Sequence, residues 1–418
     1  MPVPRFASTL LVWISACEMS PMNGSERRSL DWLIRPISKE EFFQSYWERK
    51  PLVVKRGERD YFSSLLSFQE VDRVIATLDR RYPDICLKNA NDPSLTQADY
   101  TSPGGALDVA KLYQLFEQGS TITLAFLDTV IPALTLFCRS LENEFSCPLQ
   151  TNAYMTPPAA QGAKPHYDTH DVFVLQIAGS KQWTLFGTPV ESPLPGQGFD
   201  ERLHQIGTPT LAFELEPGDL AYIPRGVAHE ARSTDTLSLH ITTGILRYTW
   251  ADLLLEFIAN ASLDNVAFRK ALPPGFARSG VDRAQIQGTL RDLLQQASRG
   301  SNFDSTLDAL IERFLAKCPP ALEGQLAQLA ALDSLTIDSV VGAREGVIAR
   351  IEANGSSESI HTYGRSISFP SHAGEAVRFA LSHPRFVVRD LPCKVNDPGK
   401  LTLVRRLIRE GLVRALPS

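Results

Sequence analysis

Three textures of apolar and polar positions succeed one another along the chain. From Leu30 the pattern is helical. Ser38-Lys39-Glu40-Glu41 has the form of a capping box, and Phe42, Phe43, Tyr46 and Trp47 follow at helical spacing. Pro51 stops that helix, and Leu52-Val53-Val54 reads as a strand. Further helices are predicted over 70–79, 108–117 and 128–144; Pro132 sits in the first turn of the last, where a missing amide is tolerated. From Leu149 the texture changes to short β-rich segments punctuated by Gly and Pro: 152–155, 172–177, 182–186, 212–215, 220–223 and 237–243. Many short strands with turn signals between them predict a barrel or sandwich. Ile177-Ala178-Gly179-Ser180-Lys181 predicts a tight hairpin that pairs the strands on either side of it.

After Trp250 the pattern turns helical again, with stripes at Leu253, Leu254, Phe257 and Ile258, at Leu290, Leu293 and Leu294, and at Leu307, Leu310, Ile311 and Phe314. Short amphipathic helices of this kind need a partner surface. The last segment mixes both textures. Two strands flank Asn354-Gly355, a strong hairpin signal, followed by a helix over 375–382, a strand over 386–389 and a helix over 401–409 stopped by Gly411. This reads as a small winged-helix-like domain. The expected organisation is a disordered leader over 1–29, a catalytic β domain over 30–249, a helical region over 250–334 and the winged-helix-like domain over 335–418. Ile14-Ser15-Ala16-Cys17 superficially matches a lipoprotein cleavage site, but the apolar run before it is short and weakly basic, so a leader rather than an export signal is expected.

Composition narrows the function classes. A chain of 418 residues exceeds one ordinary domain; 43% of them are hydrophobic and 21% charged, as in a globular protein without a membrane span. A net charge of -5 argues against coating nucleic acid through global positive charge. The 6 cysteines lie far apart with no C-x-x-C pair, which excludes a disulfide scaffold and a zinc finger and fits a reducing, cytoplasmic setting.

Chemistry concentrates in two places. In Pro165-His166-Tyr167-Asp168 the histidine and aspartate are two apart, so on a strand they share one face. Farther on, Pro217-Gly218-Asp219-Leu220-Ala221-Tyr222-Ile223-Pro224-Arg225-Gly226-Val227-Ala228-His229 delivers a second histidine through two Gly-containing turns. Two imidazoles and one carboxylate on a β scaffold form a facial triad that suits non-haem Fe(II) and leaves positions open for a 2-oxo acid and dioxygen. His170 shares the strand parity of His166 and Asp168; it reads as a pocket residue beside the metal, with a ligand role as the other choice. A 2-oxoglutarate enzyme also needs a cation for the distal carboxylate. Lys181 is the candidate, and a solvated hairpin lysine is the alternative reading.

The run Asn152-Ala153-Tyr154-Met155-Thr156-Pro157-Pro158, then Gln161-Gly162, Pro165-His166-Tyr167-Asp168, Asp171-Val172-Phe173-Val174-Leu175-Gln176 and Gly179-x-Lys181-x-Trp183 resembles the JmjC-type ribosomal oxygenases of the cupin superfamily. Phe43-x-x-Tyr46-Trp47-Glu48-x-Lys50-Pro51 is similar to the family's N-terminal entry. Asp390-Leu391-Pro392 with Leu403-Val404-Arg405-Arg406-Leu407-Ile408-Arg409-Glu410-Gly411-Leu412 is similar to its C-terminal winged helix. The resemblance implies an α+β chain: a double-stranded β-helix barrel, a helical dimerisation region and a winged helix. It implies Fe(II) at His166, Asp168 and His229, and 2-oxoglutarate held by Lys181 with Thr242 as a weaker helper. Asn152 and Tyr154 become candidate substrate or cosubstrate contacts.

The activity so implied is hydroxylation at the β-carbon of a histidine or arginine in a ribosomal protein, by a homodimer. Gly244 stands where the histidine-hydroxylating pattern has a serine, which leaves the modified residue open. Two other readings remain. One is a hydroxylase of a natural-product peptide or small molecule. The other is a non-catalytic cupin adaptor whose Arg405, Arg406, Arg409 and Arg414 face nucleic acid; such helix residues are more often a solvated face, so direct nucleic-acid binding is not expected.

Overall fold

The computed structural model describes residues 11–13, 28–300, 303–354, 357–392 and 395–417. The cysteine motif at 14–17 lies outside the described residues, as does most of the expected disordered leader, but the leader's segment Leu11–Trp13 is a strand paired with Val53–Lys55 rather than disordered chain. The chain divides into two compact units, one running to Leu246 and taking in Ala321–Gln325, the other comprising Arg247–Pro320 and the remainder from Leu326.

The first unit opens with α1 (Leu30–Ile34) and α2 (Lys39–Ser45), followed by α3 (Phe68–Thr77), α4 (Val109–Glu117) and α5 (Pro132–Phe145). Their starts are chemical. Ser29, Ser38, Ser67 and Asp108 each cap a first turn by accepting an amide hydrogen bond, and Pro132 stands at the start of α5. The strands are β1 (Leu11–Trp13), β2 (Leu52–Lys55), β3 (Ile85–Lys88), β4 (Thr121–Leu124), β5 (Leu149–Thr156), β6 (Asp171–Ala178), β7 (Lys181–Leu185), β8 (Leu211–Leu215), β9 (Leu220–Ile223), β10 (His229–Ser233) and β11 (Ser238–Ile245). Eight of them form one sheet in the order β1-β2-β9-β6-β11-β5-β4-β3, and β10-β7-β8 form a second.

Alternation along the strands assigns two faces. Val172 and Val174 of β6 point between the sheets and pack with Trp183, Leu185, Phe213 and Leu215. Phe173, one residue away, points outward; its ring centroid is 5.7 Å from Phe42 and 5.3 Å from Tyr222. The helices thus close the outer face of the larger sheet, leaving the space between the sheets for chemistry. Phe42 is fully buried at this seam. Phe42→Ala should destabilise the unit by about 3–5 kcal/mol, read by chemical denaturation.

Three readings change. The segment 177–181 is not a hairpin: β6 pairs with β9 and β11, whereas β7 pairs with β10 and β8. Gly179, at φ +60, turns the chain from one sheet to the other, as closing a barrel from two sheets requires. The last helix begins earlier than predicted, at Asp397, with Asn396 as its cap and a proline in its first turn. The strand predicted over 386–389 is shorter, because Val388–Asp390 turns into a 3-10 helix.

The second unit contains α6 (Trp250–Asp264), α7 (Arg283–Gly300), α8 (Phe303–Ala316) and α9 (Gln325–Ala330), the last beginning at the junction of the two units. It continues with β12 (Val340–Ala343), the three-stranded meander β13 (Arg350–Asn354), β14 (Ser357–Thr362) and β15 (Arg365–Pro370), then α10 (Gly374–Ser382), β16 (Phe386–Val387), α11 (Asp397–Arg409) and β17 (Val413–Ala415). β13 and β14 pair as the Asn354-Gly355 signal predicts, with Asn354 opposite Ser357. The core gathers Ile360, Phe369, Val377, Val404, Leu407 and Ile408. Two of the basic residues weighed for nucleic acid do structural work. The Arg405 guanidinium donates to Leu332 and Leu335 carbonyls, and Arg406 stacks over Phe369. Among the described residues no helix is long and apolar enough to cross a membrane.

Candidate metal centre

Two segments deliver the three groups singled out by the sequence. His166 and His229 form an isolated antiparallel bridge. The His166 amide donates to the His229 carbonyl at 3.1 Å, and the His229 amide returns the bond at 2.8 Å. His166 is therefore held by a bridge rather than by a full strand, and Asp168 follows it on a loop, so strand parity is not what aims the pair. Tyr167 between them is buried away from the site. A third tie joins the segments, since the Gly226 amide donates to the Asp168 carbonyl at 3.0 Å.

The imidazole orientations follow from the backbone. Nδ1 of His166 lies 2.8 Å from the Lys164 carbonyl, and Nδ1 of His229 lies 3.1 Å from that of Val227. Carbonyls only accept, so each Nδ1 carries the proton and each Nε2 lone pair is free. The Asp168 Oδ2 stands 3.8 Å from His229 Nε2, and one donor atom from each of the three residues lies within 4.8 Å of the others. Burial lowers the His229 pKa, helped by His166, so the ring stays neutral as a ligand must. Burial pushes the Asp168 carboxyl up, but His229, His170, His166 and Lys88 together more than offset this and leave it below its usual value. Two neutral nitrogens and one carboxylate oxygen fit a divalent transition metal with open positions.

The three residues form part of the wall of a cavity of about 130 Å³ that Tyr154, Lys181, Trp183, His240 and Thr242 also line. On the β7–β10 ladder Leu185 is opposite His229 and Lys181 opposite Ser233. Lys181 and His229 are thus four residue steps apart along the ladder, roughly 13 Å. The Lys181 ammonium donates to Thr156 Oγ1 at 3.0 Å and lies 3.5 Å from Nδ1 of His240. Burial lowers its pKa from 10.5 to about 7. Burial also drives His240 well below its ordinary value, so its neutral ring can accept from the lysine. Tyr154 stacks on His240 with ring centroids 4.9 Å apart.

Other expected site residues fall elsewhere. Asn152 is opposite Thr242 in the β5–β11 ladder, but its Oδ1 accepts from the Phe126 amide and from Gln150, and it does not line the cavity. His170 also lies outside the cavity wall. Its ring covers Gly244 so closely that a Cβ there would come within 2.6 Å of His170 Cδ2, which physically accounts for a glycine at that position. His240, Lys88 and Glu230 line the cavity and were not singled out from the sequence. His240 had a usable signal, standing two residues before Thr242 on the same strand face.

A two-sheet barrel whose cavity wall carries a His–Asp–His donor cluster is the form of a barrel able to hold a metal ion. Residues 129–253 match a family model described as a JmjC domain, and the chain is similar to proteins named as ribosomal oxygenases. It is 27% identical over 451 residues to "Ribosomal oxygenase 1" of Danio rerio, covering 95% of this chain and 81% of that protein. It is 31% identical over 315 residues to the "Bifunctional lysine-specific demethylase and histidyl-hydroxylase NO66" of Aedes aegypti, covering 71% of this chain but only 49% of that protein. Among solved structures it resembles Escherichia coli YcfD, a ribosomal oxygenase, in complex with cobalt and 2-oxoglutarate. That likeness has a TM-score of 0.52 and 16% identity, covers 91% of this chain and 99% of the other, and shows the fold.

Proposed function

We propose that this chain is an Fe(II)- and 2-oxoglutarate-dependent protein hydroxylase acting on the β-carbon of a histidine or arginine side chain in a ribosomal protein. The observation that carries the reading is the convergence of the three donor atoms in the cavity that also holds the buried Lys181 cation. His166, Asp168 and His229 hold the iron. Lys181 takes the distal carboxylate of 2-oxoglutarate by a charge-assisted hydrogen bond, with Tyr154 and Thr242 along its flank. The ladder separation of Lys181 from His229 is one that a lysine side chain and a five-carbon diacid span together. When bound, iron and 2-oxoglutarate supply the dioxygen activation that leads to insertion of oxygen into a C–H bond. The protein fixes the ligands, keeps the imidazoles neutral, excludes water and decides which C–H bond lies near. The names of the relatives support a ribosomal-protein substrate. Succinate release by the iron-loaded chain tests the reading: ribosomal-protein peptides should raise it, and stimulation only by small molecules would favour the alternative substrate class.

The second unit supports a finer assignment, a helical dimerisation region over 250–334 and a winged-helix domain over 335–418 after the catalytic domain of 30–249. Trp250, Leu254, Leu255 and Leu290 of α6 and α7 are 79%, 60%, 72% and 55% exposed, respectively, an apolar surface that a two-fold partner would cover. Light scattering at low micromolar concentration should give twice the chain mass; a monomer mass would reject the dimer. A cytoplasmic location is consistent with a ribosomal substrate.

A further inference from the structure

The cavity beside the metal ligands, at about 130 Å³, is far too small to admit a polypeptide backbone. Next to it opens a groove of about 500 Å³ that shares Lys88, Ala163 and His166 with the cavity wall. Its other side is built by the connection between β7 and β8, residues 186–210, through Phe199, Glu201, His204 and Ile206.

This connection is braced against both segments that deliver the metal ligands. The Tyr167 hydroxyl, from the residue between His166 and Asp168, donates to the Gln197 carbonyl at 2.8 Å. It also lies 3.4 Å from Nε2 of His204. Nδ1 of His204 accepts from the Asp200 amide at 3.1 Å, so in the neutral ring Nε2 carries the proton and points it at the tyrosine oxygen. The Tyr167 ring packs edge-on against Phe199 and His204, with centroids 5.5 Å and 5.3 Å away. On the other flank Val190 and Pro193 close over Gly226, leaving no room for a Cβ, and the Ala228 amide donates to the Gly187 carbonyl at 3.1 Å.

We propose that the 186–210 connection is one wall of a groove that seats an extended polypeptide segment flanking the modified residue, and that Tyr167 is the positioning residue that sets this wall relative to the metal ligands. The proposal rests on the protein-hydroxylase reading and names the surface that reading requires. The shared wall makes the groove continuous with the metal cavity, so a backbone lying in it presents a side chain towards His166. A small-molecule substrate would need no such groove.

The test uses the full chain loaded with Fe(II) and 2-oxoglutarate, with total ribosomal protein as the probe. Tyr167→Phe keeps the ring and removes the hydroxyl bonds. The Michaelis constant for the ribosomal substrate should rise about fivefold to tenfold, the scale of one lost buried hydrogen bond. The 2-oxoglutarate constant, the metal affinity and kcat should stay within about twofold, the split that a positioning role predicts. His204→Ala should act on the same constant and combine less than additively with Tyr167→Phe. Equal losses in all constants, or no change in the substrate constant, would overturn the positioning role. Hydrogen exchange on the cobalt-loaded protein reads the groove itself: the ribosomal probe should protect amides within 199–206. Oxygen addition without that protection would sink the groove alone. If no ribosomal protein gains oxygen or protects any segment, the groove and the function both fall.

Discussion

His166→Ala and His229→Ala should each abolish 2-oxoglutarate turnover while the chain stays folded. Each substitution removes one of three donors, and no other His, Cys, Asp or Glu joins that cluster among the described residues. Outer partners of metal ligands typically matter by about 10–100-fold in affinity, so loss of a ligand itself should exceed that. The fold should survive because the bridge between the two segments is made by backbone amides and carbonyls, which alanine retains. Metal titration and thermal unfolding, run together, separate the two effects. Full decarboxylation by either variant would reject the donor set.

Lys181→Ala should raise the Michaelis constant for 2-oxoglutarate by roughly thirtyfold or more, with a far smaller effect on the peptide constant. Truncating one partner of a desolvated charge pair costs about 2–5 kcal/mol. The pH dependence is a second signature with a definite sign. The cavity holds the Lys181 pKa at about 7, below its unfolded value of 10.5. Between those values the unfolded chain binds the extra proton, so Lys181 makes the free protein more stable as pH rises through this window. Cosubstrate binding runs the other way. An anionic carboxylate wants the charged lysine, so above about pH 7 binding must take up a proton, and affinity should fall by up to about tenfold per pH unit. Calorimetric titration between about pH 6.5 and 9, the window set by that pKa, should show this slope in the wild type and lose it in Lys181→Met. A flat profile in the wild type would return Lys181 to a purely structural role.

Most barrel strands were legible as short apolar runs set between Gly- or Pro-containing turns; Leu220–Ile223 was placed to the residue. The His166, Asp168 and His229 cluster was legible because its donors lie in two compact motifs. What one sequence could not give was pairing across sheets. Alternation says which side chains share a face but not which strand lies alongside, so the turn at Gly179 read as a hairpin. Strand parity with Thr242 could have flagged His240, but not its place beside Lys181, fifty-nine positions away in the chain. The close fit of the His170 ring over Gly244 is likewise a packing fact with no local sequence signal. β3, β4 and β10 were not predicted; unlike β9, which Gly218 and Pro224 bracket, none of them has a Gly or Pro within two residues on both sides.

The proposed activity of this cavity is addition of oxygen to a ribosomal protein. Intact-protein mass spectrometry of ribosomal proteins from cells with and without the gene tests it most directly. One ribosomal protein should be heavier by a single oxygen atom only when the gene is present, with the addition on a histidine or arginine and lost in the His229→Ala strain. Identical ribosomal-protein masses in the two strains would contradict it.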